Sequence, residues 1–196
     1  MIRGALRRGC ARLFLLLFVL VALYVVYGAV TWPDVVGLAT QEPRTTAFIE
    51  RYRAQQHARG EPRAPAWTWV PYARISPHLK RAVLVGEDIQ FFSHHGFDTA
   101  EIQAALRDAW LERELPRGAS TITQQVAKNL WLSGKWNPVR KVREALLTRA
   151  LEKRLGKRRI LEIYLNVAEF APGVYGAEAA ARHFFSEPAA DLDIQQ

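Results

Sequence analysis

Leu13 to Val30 reads LFLLLFVLVALYVVYGAV, eighteen residues without a charge, and no other stretch restricts the fold of this chain so strongly. A helix of about 20 such residues spans the hydrocarbon core of a bilayer, and Thr31 and Trp32 extend the run toward that length. Arg3, Arg7, Arg8 and Arg12 precede it, whereas the first charge after it is Asp34. The excess of arginine on one side predicts a short cytoplasmic stub and sends everything beyond Trp32 across the membrane. Tyr24, Tyr27 and Trp32 lie toward the far end, where amphipathic rings favour the interface. A cleavable signal peptide is the competing reading. Its apolar core is usually about 7–15 residues and ends in a small-x-small site, and neither trait is met here, so an uncleaved anchor is favoured.

Composition narrows the partners. The formal net charge is +8, which points to anionic partners but does not separate nucleic acid from phospholipid headgroups or a phosphorylated substrate. An outward-facing basic surface argues against nucleic acid. There is one cysteine, Cys10, which rules out an internal disulfide and a zinc site built on several thiolates. Cys10 reads as a spectator thiol at the membrane edge, with lipidation the alternative.

After the apolar run, residues 33–75 carry Pro33, Pro43, Pro62, Pro65 and Pro71 and read as a juxtamembrane stem. Thr45 to Ala58 is a candidate helix within it, while GEPRAPAWTWVP breaks any helix. Trp67, Trp69 and Tyr72 either pack on the following domain or touch lipid headgroups. From Ser76 the pattern turns helical. Ser76-Pro77 is an N-cap with proline at the first helical position, followed by an apolar stripe of Leu79, Ala82, Val83 and Gly86. Further helices are expected over Thr99 to Glu114, with Ile102, Ala105, Leu106 and Ala109 inward, and from Thr121, where Thr121 and Gln124 have capping-box spacing. Others follow from Asn137-Pro138 to about Leu155, from Lys157 to about Asn166, and from Gly176 to Phe185. No alternating strand series is present, so the fold class is mostly α.

Glu87 continues an apolar stripe, four residues after Val83 and four before Phe91. A carboxylate there is expected to be desolvated and so a better base near neutral pH; pairing with an arginine is the plainer alternative. The next residue, Asp88, is rotated about 100° around the helix and faces elsewhere. Arg117 to Leu130 reads RGASTITQQVAKNL, a glycine-containing loop leading into a hydroxyl- and amide-rich helix start. Helix N-termini favour anions and Lys128 adds a cation, but the lysine of a Walker loop is missing. In RKVREALLTRALE (140–152), Arg140 and Glu144 stand at i and i+4. They form either a surface ion pair of small value or part of a cleft. Two carboxylates among several cations would suit displacement at a sugar carbon bearing a diphosphate, one taking a proton and the cations stabilising the leaving group.

Five blocks in order resemble the motifs of the peptidoglycan glycosyltransferase family: EDIQFFSHHGFD (87–98), GASTITQQVAKNLWL (118–132), RKVREALLTRALE (140–152), KRRILEIYLNVAEF (157–170) and GVYGAEAAARHFF (173–185). The second block is the most specific. The resemblance implies a lysozyme-like helical glycosyltransferase domain with a membrane-embedded region beside its cleft. It also implies polymerisation of lipid II into glycan strands, with inversion at the anomeric carbon and release of undecaprenyl diphosphate. By motif position Glu87 corresponds to the base for the acceptor hydroxyl, and Glu144 to a second essential glutamate on the donor side. Arg117, Lys128, Arg140 and Lys141 correspond to cations that hold phosphates or sugars, and Ser120, Gln124 and Gln125 to polar groups that contact substrate or position the loop. Asp88, Phe91, His94 and Gly96 are expected to shape the first loop, His94 structurally rather than catalytically. Glu162, Tyr164 and Asn166 of the fourth block are expected to be architectural.

The one candidate cofactor is a divalent cation, Mg2+ or Mn2+, near Glu144. The partners implied are lipid II, the growing glycan strand, membrane lipids, and cell-wall synthesis or division proteins. The expected organisation is a cytoplasmic stub (1–12), a single transmembrane anchor in the inner membrane (13–32), the stem (33–75) and an extracytoplasmic catalytic domain (76–196). The family pattern continues with more helix, so this domain is expected to be truncated at its C-terminus. Two rivals remain: an inactive membrane scaffold of the same fold, and a lytic enzyme that cleaves the polymer. A lytic enzyme needs a general acid for a sugar oxygen, whereas a diphosphate leaving group needs cations, which this sequence supplies.

Overall fold

The computed structural model describes residues 2–113, 118–135 and 137–196, with side chains given for residue 12 and from residue 14 onward. The chain divides into two units, 1–34 and 35–196. The first is the helix α1 (Ile2–Val30), whose side chains from Phe14 to Tyr27 are all exposed. Among the described residues no helix is long and apolar enough to cross a membrane. The described side chains of the apolar run begin at Phe14, one residue inside the uncharged stretch that starts at Leu13.

The second unit is mostly helical, and its helices begin where local chemistry dictates. Thr46 caps α2 (Ala47–Ala58), its side chain accepting from the Ile49 N–H. Ser76 caps α3 (Pro77–Glu87), with proline in the first turn. Asp98 caps α4 (Thr99–Glu112). Thr121 and Gln124 form a reciprocal capping box at the start of α5 (Ile122–Trp131), which satisfies two otherwise orphaned donors. Asn137 caps α6 (Pro138–Arg154), and α7 (Lys157–Val167) and α8 (Ala177–Phe185) follow glycines. Gly176 is required before α8: its φ is +81°, and a Cβ would lie 2.6 Å from the Asn166 carbonyl oxygen.

α5 is the centre of this unit. Ile122, Val126, Ala127 and Leu130 are buried in one core with Leu147 and Leu151 of α6 and Ile160, Leu161 and Ile163 of α7. Each fully buried large aliphatic chain contributes about 1.5–3 kcal/mol, so the helix carrying the polar residues of the second block is firmly held.

A three-stranded sheet, absent from the sequence expectation, lies among β1 (Ala66–Trp67), β2 (Glu169–Ala171) and β3 (Val174–Tyr175), in the order β1-β3-β2. β1 pairs in parallel with β3, and β2 antiparallel to it. Strands of two or three residues are too short to show alternation.

Residues 35–75 belong to the same unit as the helices that follow, and Val35, Leu38, Val70 and Ile75 are buried in its core. Their polar anchoring comes from the fourth block. Asn166 accepts from the Val70 N–H at 2.8 Å and donates to the Val70 carbonyl at 2.9 Å. Arg159 donates to the carbonyls of Leu38 and Gln41 at 2.8 and 2.7 Å, and Glu162 accepts from the Tyr72 N–H at 2.9 Å. The indole of Trp67 donates to the Asn166 carbonyl at 2.8 Å, and the Tyr72 ring lies under Lys80 and Arg158. These aromatics therefore pack on the domain.

Two burial expectations need correction. In α4 only Ala105 is buried, and Leu106 is 56 % exposed. α3 buries no residue; Leu79 and Val83 pack against the core, whereas Ala82 and Gly86 are exposed. Each helix is covered by protein on part of its apolar stripe only. Val85 on α3, Ile89 and Phe92 in the loop after it, and Leu106, Trp110 and Leu111 on α4 are all exposed.

Candidate active site

Glu87 is the last residue of α3 and is exposed, not desolvated as its place on an apolar stripe suggested. The helix ends here, with Asp88 as its cap, so the stripe geometry does not carry the side chain inward. Its carboxylate accepts a 2.6 Å hydrogen bond from the amide of Gln125 on α5. The amide oxygen of Gln125 in turn accepts from the Tyr164 hydroxyl at 3.4 Å.

Asp88 points the other way and is buried. Its oxygens lie 2.9 and 3.0 Å from Nε2 of His94, and Oδ2 also accepts from the Ile122 N–H at 3.0 Å. Nδ1 of His94 accepts from the Gly96 N–H at 3.1 Å, which fixes Nε2 as the protonated nitrogen facing Asp88. The Thr121 hydroxyl donates to the Gly96 carbonyl at 2.7 Å. Asp88, His94 and Gly96 thus tie the first loop to the start of α5, where a carboxylate also suits the helix dipole. Gly96 has φ +92°, and a Cβ would lie 2.8 Å from Thr148 Cγ2. Phe91 is fully buried and anchors the loop from below, with the Lys157 ammonium 4.5 Å from its ring centroid. The loop-shaping assignment agrees with this geometry, and His94 is held as a structural residue.

Glu144, on α6, is 2 % exposed. Its two oxygens are each taken by a cation, Arg140 at 2.7 Å and Lys141 at 2.5 Å. This is not the surface ion pair that spacing alone allowed. Lys141 also reaches the Ser120 hydroxyl at 3.4 Å, which connects α6 to the loop before α5. Lys128 on α5 is half-buried. Burial, the largest influence, holds its pKa below the ordinary lysine value; Arg140 and Lys141 act the same way, while Glu144 and Glu87 oppose them. The charges of the second and third blocks are therefore electrostatically coupled across one surface. Gln124 is buried in the capping box and shapes the helix start, so of the two adjacent glutamines only Gln125 reaches Glu87. Arg117 lies outside the described residues.

A cavity of about 530 Å³ opens between the end of α3 and the start of α5, with Glu87, Asp88, Asp98, Glu101 and Ser120 on its walls. A divalent cation at Glu144 would have to share or displace the contacts of Arg140 and Lys141, each of which takes one carboxylate oxygen. Among the described residues no group of three His, Cys, Asp or Glu side chains could hold a metal ion.

Two residues acting here were not among the expected site residues. Glu152 accepts from the Thr123 hydroxyl at 2.5 Å and from Lys157 at 2.8 Å, bracing α5, α6 and α7 behind the loop. It ends the third block, and its presence there was the only sequence signal. Tyr164 reaches Gln125, whereas the fourth block is expected to be mainly architectural.

A helical unit with an exposed glutamate at a cavity edge, a second glutamate saturated by cations, and a capped helix joining them defines a glycosyl-transfer type of site. A family model described as Transglycosylase matches residues 54–196, and the chain belongs to the transglycosylase family. The chain is 46 % identical over 176 residues to the biosynthetic peptidoglycan transglycosylase of Thiobacillus denitrificans, covering 90 % of this chain and 76 % of that protein. It is 44 % identical over 177 residues to the protein of the same description from Laribacter hongkongensis, with coverage of 90 % and 78 %. The counterpart from Neisseria gonorrhoeae is 42 % identical over 176 residues, with coverage of 90 % and 76 %.

Proposed function

We propose that this chain is a peptidoglycan glycosyltransferase that polymerises lipid II into glycan strands, with a lysozyme-like catalytic domain tethered by α1. The observation that carries the reading is the unequal state of the two glutamates. Glu87 is exposed and engaged by one amide, so it is free to take a proton. Glu144 is buried and neutralised by Arg140 and Lys141, so its work is to hold those cations in place. In the reaction the acceptor 4-hydroxyl oxygen attacks the anomeric carbon of the donor while Glu87 takes the hydroxyl proton. The bond from that carbon to the diphosphate oxygen breaks, and the electron pair leaves with the diphosphate. Attack opposite the leaving group inverts the carbon. Lys128, Arg140 and Lys141 stabilise the departing charge, as preorganised cations do in a shielded site.

The same proposal assigns residues 1–12 to the cytoplasm, 13–32 to the inner membrane and the second unit to the extracytoplasmic side. Two features support it: the arginines before the apolar run, and the exposed apolar side chains of α1, with none from Phe14 to Tyr27 buried. The uncovered Val85, Ile89, Phe92, Leu106 and Trp110 suit contact with lipid beside the cleft. Exposed apolar surface of this kind marks an interaction site.

The test is to incubate the full chain, purified in detergent, with lipid II and separate the products by size. Glycan strands with release of undecaprenyl diphosphate are expected. Binding without elongation would leave only a scaffold, and release of anhydro-sugar fragments from finished peptidoglycan would identify a lytic enzyme instead.

A further inference from the structure

We infer that Tyr164 is a positioning residue for Glu87, acting through Gln125 by fixing which end of that amide faces the carboxylate. The inference rests on the reading of Glu87 as the base. A glutamine amide has two ends of nearly the same shape, an oxygen that only accepts and a nitrogen that only donates. An ionised carboxylate only accepts, so the nitrogen end stabilises Glu87 and the oxygen end repels it. Glu87 is exposed, and water competes for it, so the contact with Glu87 does not by itself hold the amide in one orientation. Tyr164 supplies the missing constraint from behind. Its hydroxyl donates to the Gln125 oxygen at 3.4 Å, leaving the nitrogen to face Glu87 at 2.6 Å.

Three features set this tyrosine apart from its neighbours in the fourth block. Glu162 and Asn166 stand four residues apart, on one face of α7, and both bond to residues 70–72. Tyr164 lies midway between them in sequence, so it projects about 200° around the helix from either, toward α5. Its ring is buried, with 5 % of the residue exposed, so its rotamer is held by packing. Burial first, and then the negative charge of Glu87, push the phenol's pKa well above its ordinary value. The hydroxyl therefore keeps its proton, and its role as donor, throughout the working range of the enzyme. A donor aimed at a carboxylate favours the ionised form, which is the form a base must have before it accepts a proton.

The other charged groups facing Glu87 are unaltered when Tyr164 alone is changed. They are Lys128 on α5 and Asp98 and Glu101 across the cavity; Asp88, the next residue, is turned away and held by His94. The experiment measures kcat and KM for lipid II against pH, using the full chain in detergent as wild type, Tyr164→Phe, Gln125→Ala and the double variant. Tyr164→Phe is expected to lower kcat about tenfold with KM within about twofold, and to move the acid limb of the kcat profile upward. Those are the effects of losing one oriented hydrogen bond to a charged group. In the Gln125→Ala background the same change should leave the limb where it is, because the path runs through Gln125.

An unmoved acid limb in Tyr164→Phe, or an equal shift with and without Gln125, overturns the inference. Should Tyr164→Phe fold poorly, Tyr164→Met removes the same hydroxyl with a side chain that adapts to the space, and an unmoved limb in that variant is equally fatal. Glu87→Gln separates the two levels. If it still polymerises lipid II, the base assignment itself falls. If it is inactive while Tyr164→Phe leaves the limb in place, only the role of Tyr164 falls.

Discussion

Replacing Glu144 with glutamine removes one charge and leaves the side chain's shape nearly unchanged, so its consequences follow from the ion pairs alone. In the wild type each carboxylate oxygen holds a cation. A glutamine keeps one acceptor and turns an N–H toward the other cation, which must then move away. Breaking a buried ion pair costs about 3–5 kcal/mol, and the Arg140 side of the site qualifies, with side chains 10 % and 3 % exposed. Lys141 is 42 % exposed, so solvent screens its share to about 0–1 kcal/mol. The expected loss is therefore about 3–5 kcal/mol, near the lower end because one acceptor survives. For a domain of this size each kcal/mol lowers Tm by about 2–4 °C, so a fall of about 10 °C is expected. Thermal unfolding of the full chain in detergent, followed by circular dichroism at 222 nm, measures it. Glu87→Gln is the control: an exposed substitution is worth about 0.5 kcal/mol or less, so its Tm should stay within about 2 °C of wild type. Both variants should fail to polymerise lipid II, and only one should be unstable. A Glu144→Gln protein that melts with the wild type would refute the claim that this carboxylate holds the cations in place.

Two further outcomes follow from the same geometry. Gly96→Ala should destabilise the chain by several kcal/mol, on the order of what steric overlap and a left-handed backbone together cost, because its φ is +92° and its Cβ would meet Thr148; urea denaturation checks this. Lys128 is held below the ordinary lysine pKa by burial, so as pH rises its ammonium loses its proton earlier than a free lysine would. The alkaline limb of kcat/KM should accordingly fall below the usual lysine range, and Lys128→Arg, which stays charged, should move that limb upward in the same assay.

The parts of this fold legible in the sequence are those that local chemistry decides. Thr121 and Gln124 announced a capping box and formed one, and Ser76-Pro77 and Asn137-Pro138 began helices where expected. The direction of burial was less legible. Ile102, Leu106 and Ala109 make a sound amphipathic stripe, but a stripe does not reveal whether protein covers it. Glu87 was read as desolvated for the same reason, and the end of α3 beneath it exposes the side chain instead. The anchoring of residues 35–75 by Arg159 and Asn166 was invisible, because it joins groups 96 to 121 positions apart. Residue types at the site were visible as motif blocks, but their division of labour was not. That Glu144 is buried between two cations of its own helix depends on how α6 packs, and that Glu87 meets a single amide depends on a distance between helices.

The most direct test of that division is made on Glu87→Gln. The variant should bind lipid II as the wild type does and melt within about 2 °C of it, as an exposed substitution should, yet form no glycan strands at any pH. Strand formation at a rate near that of the wild type would contradict the account at its centre, which assigns the acceptor's proton to Glu87.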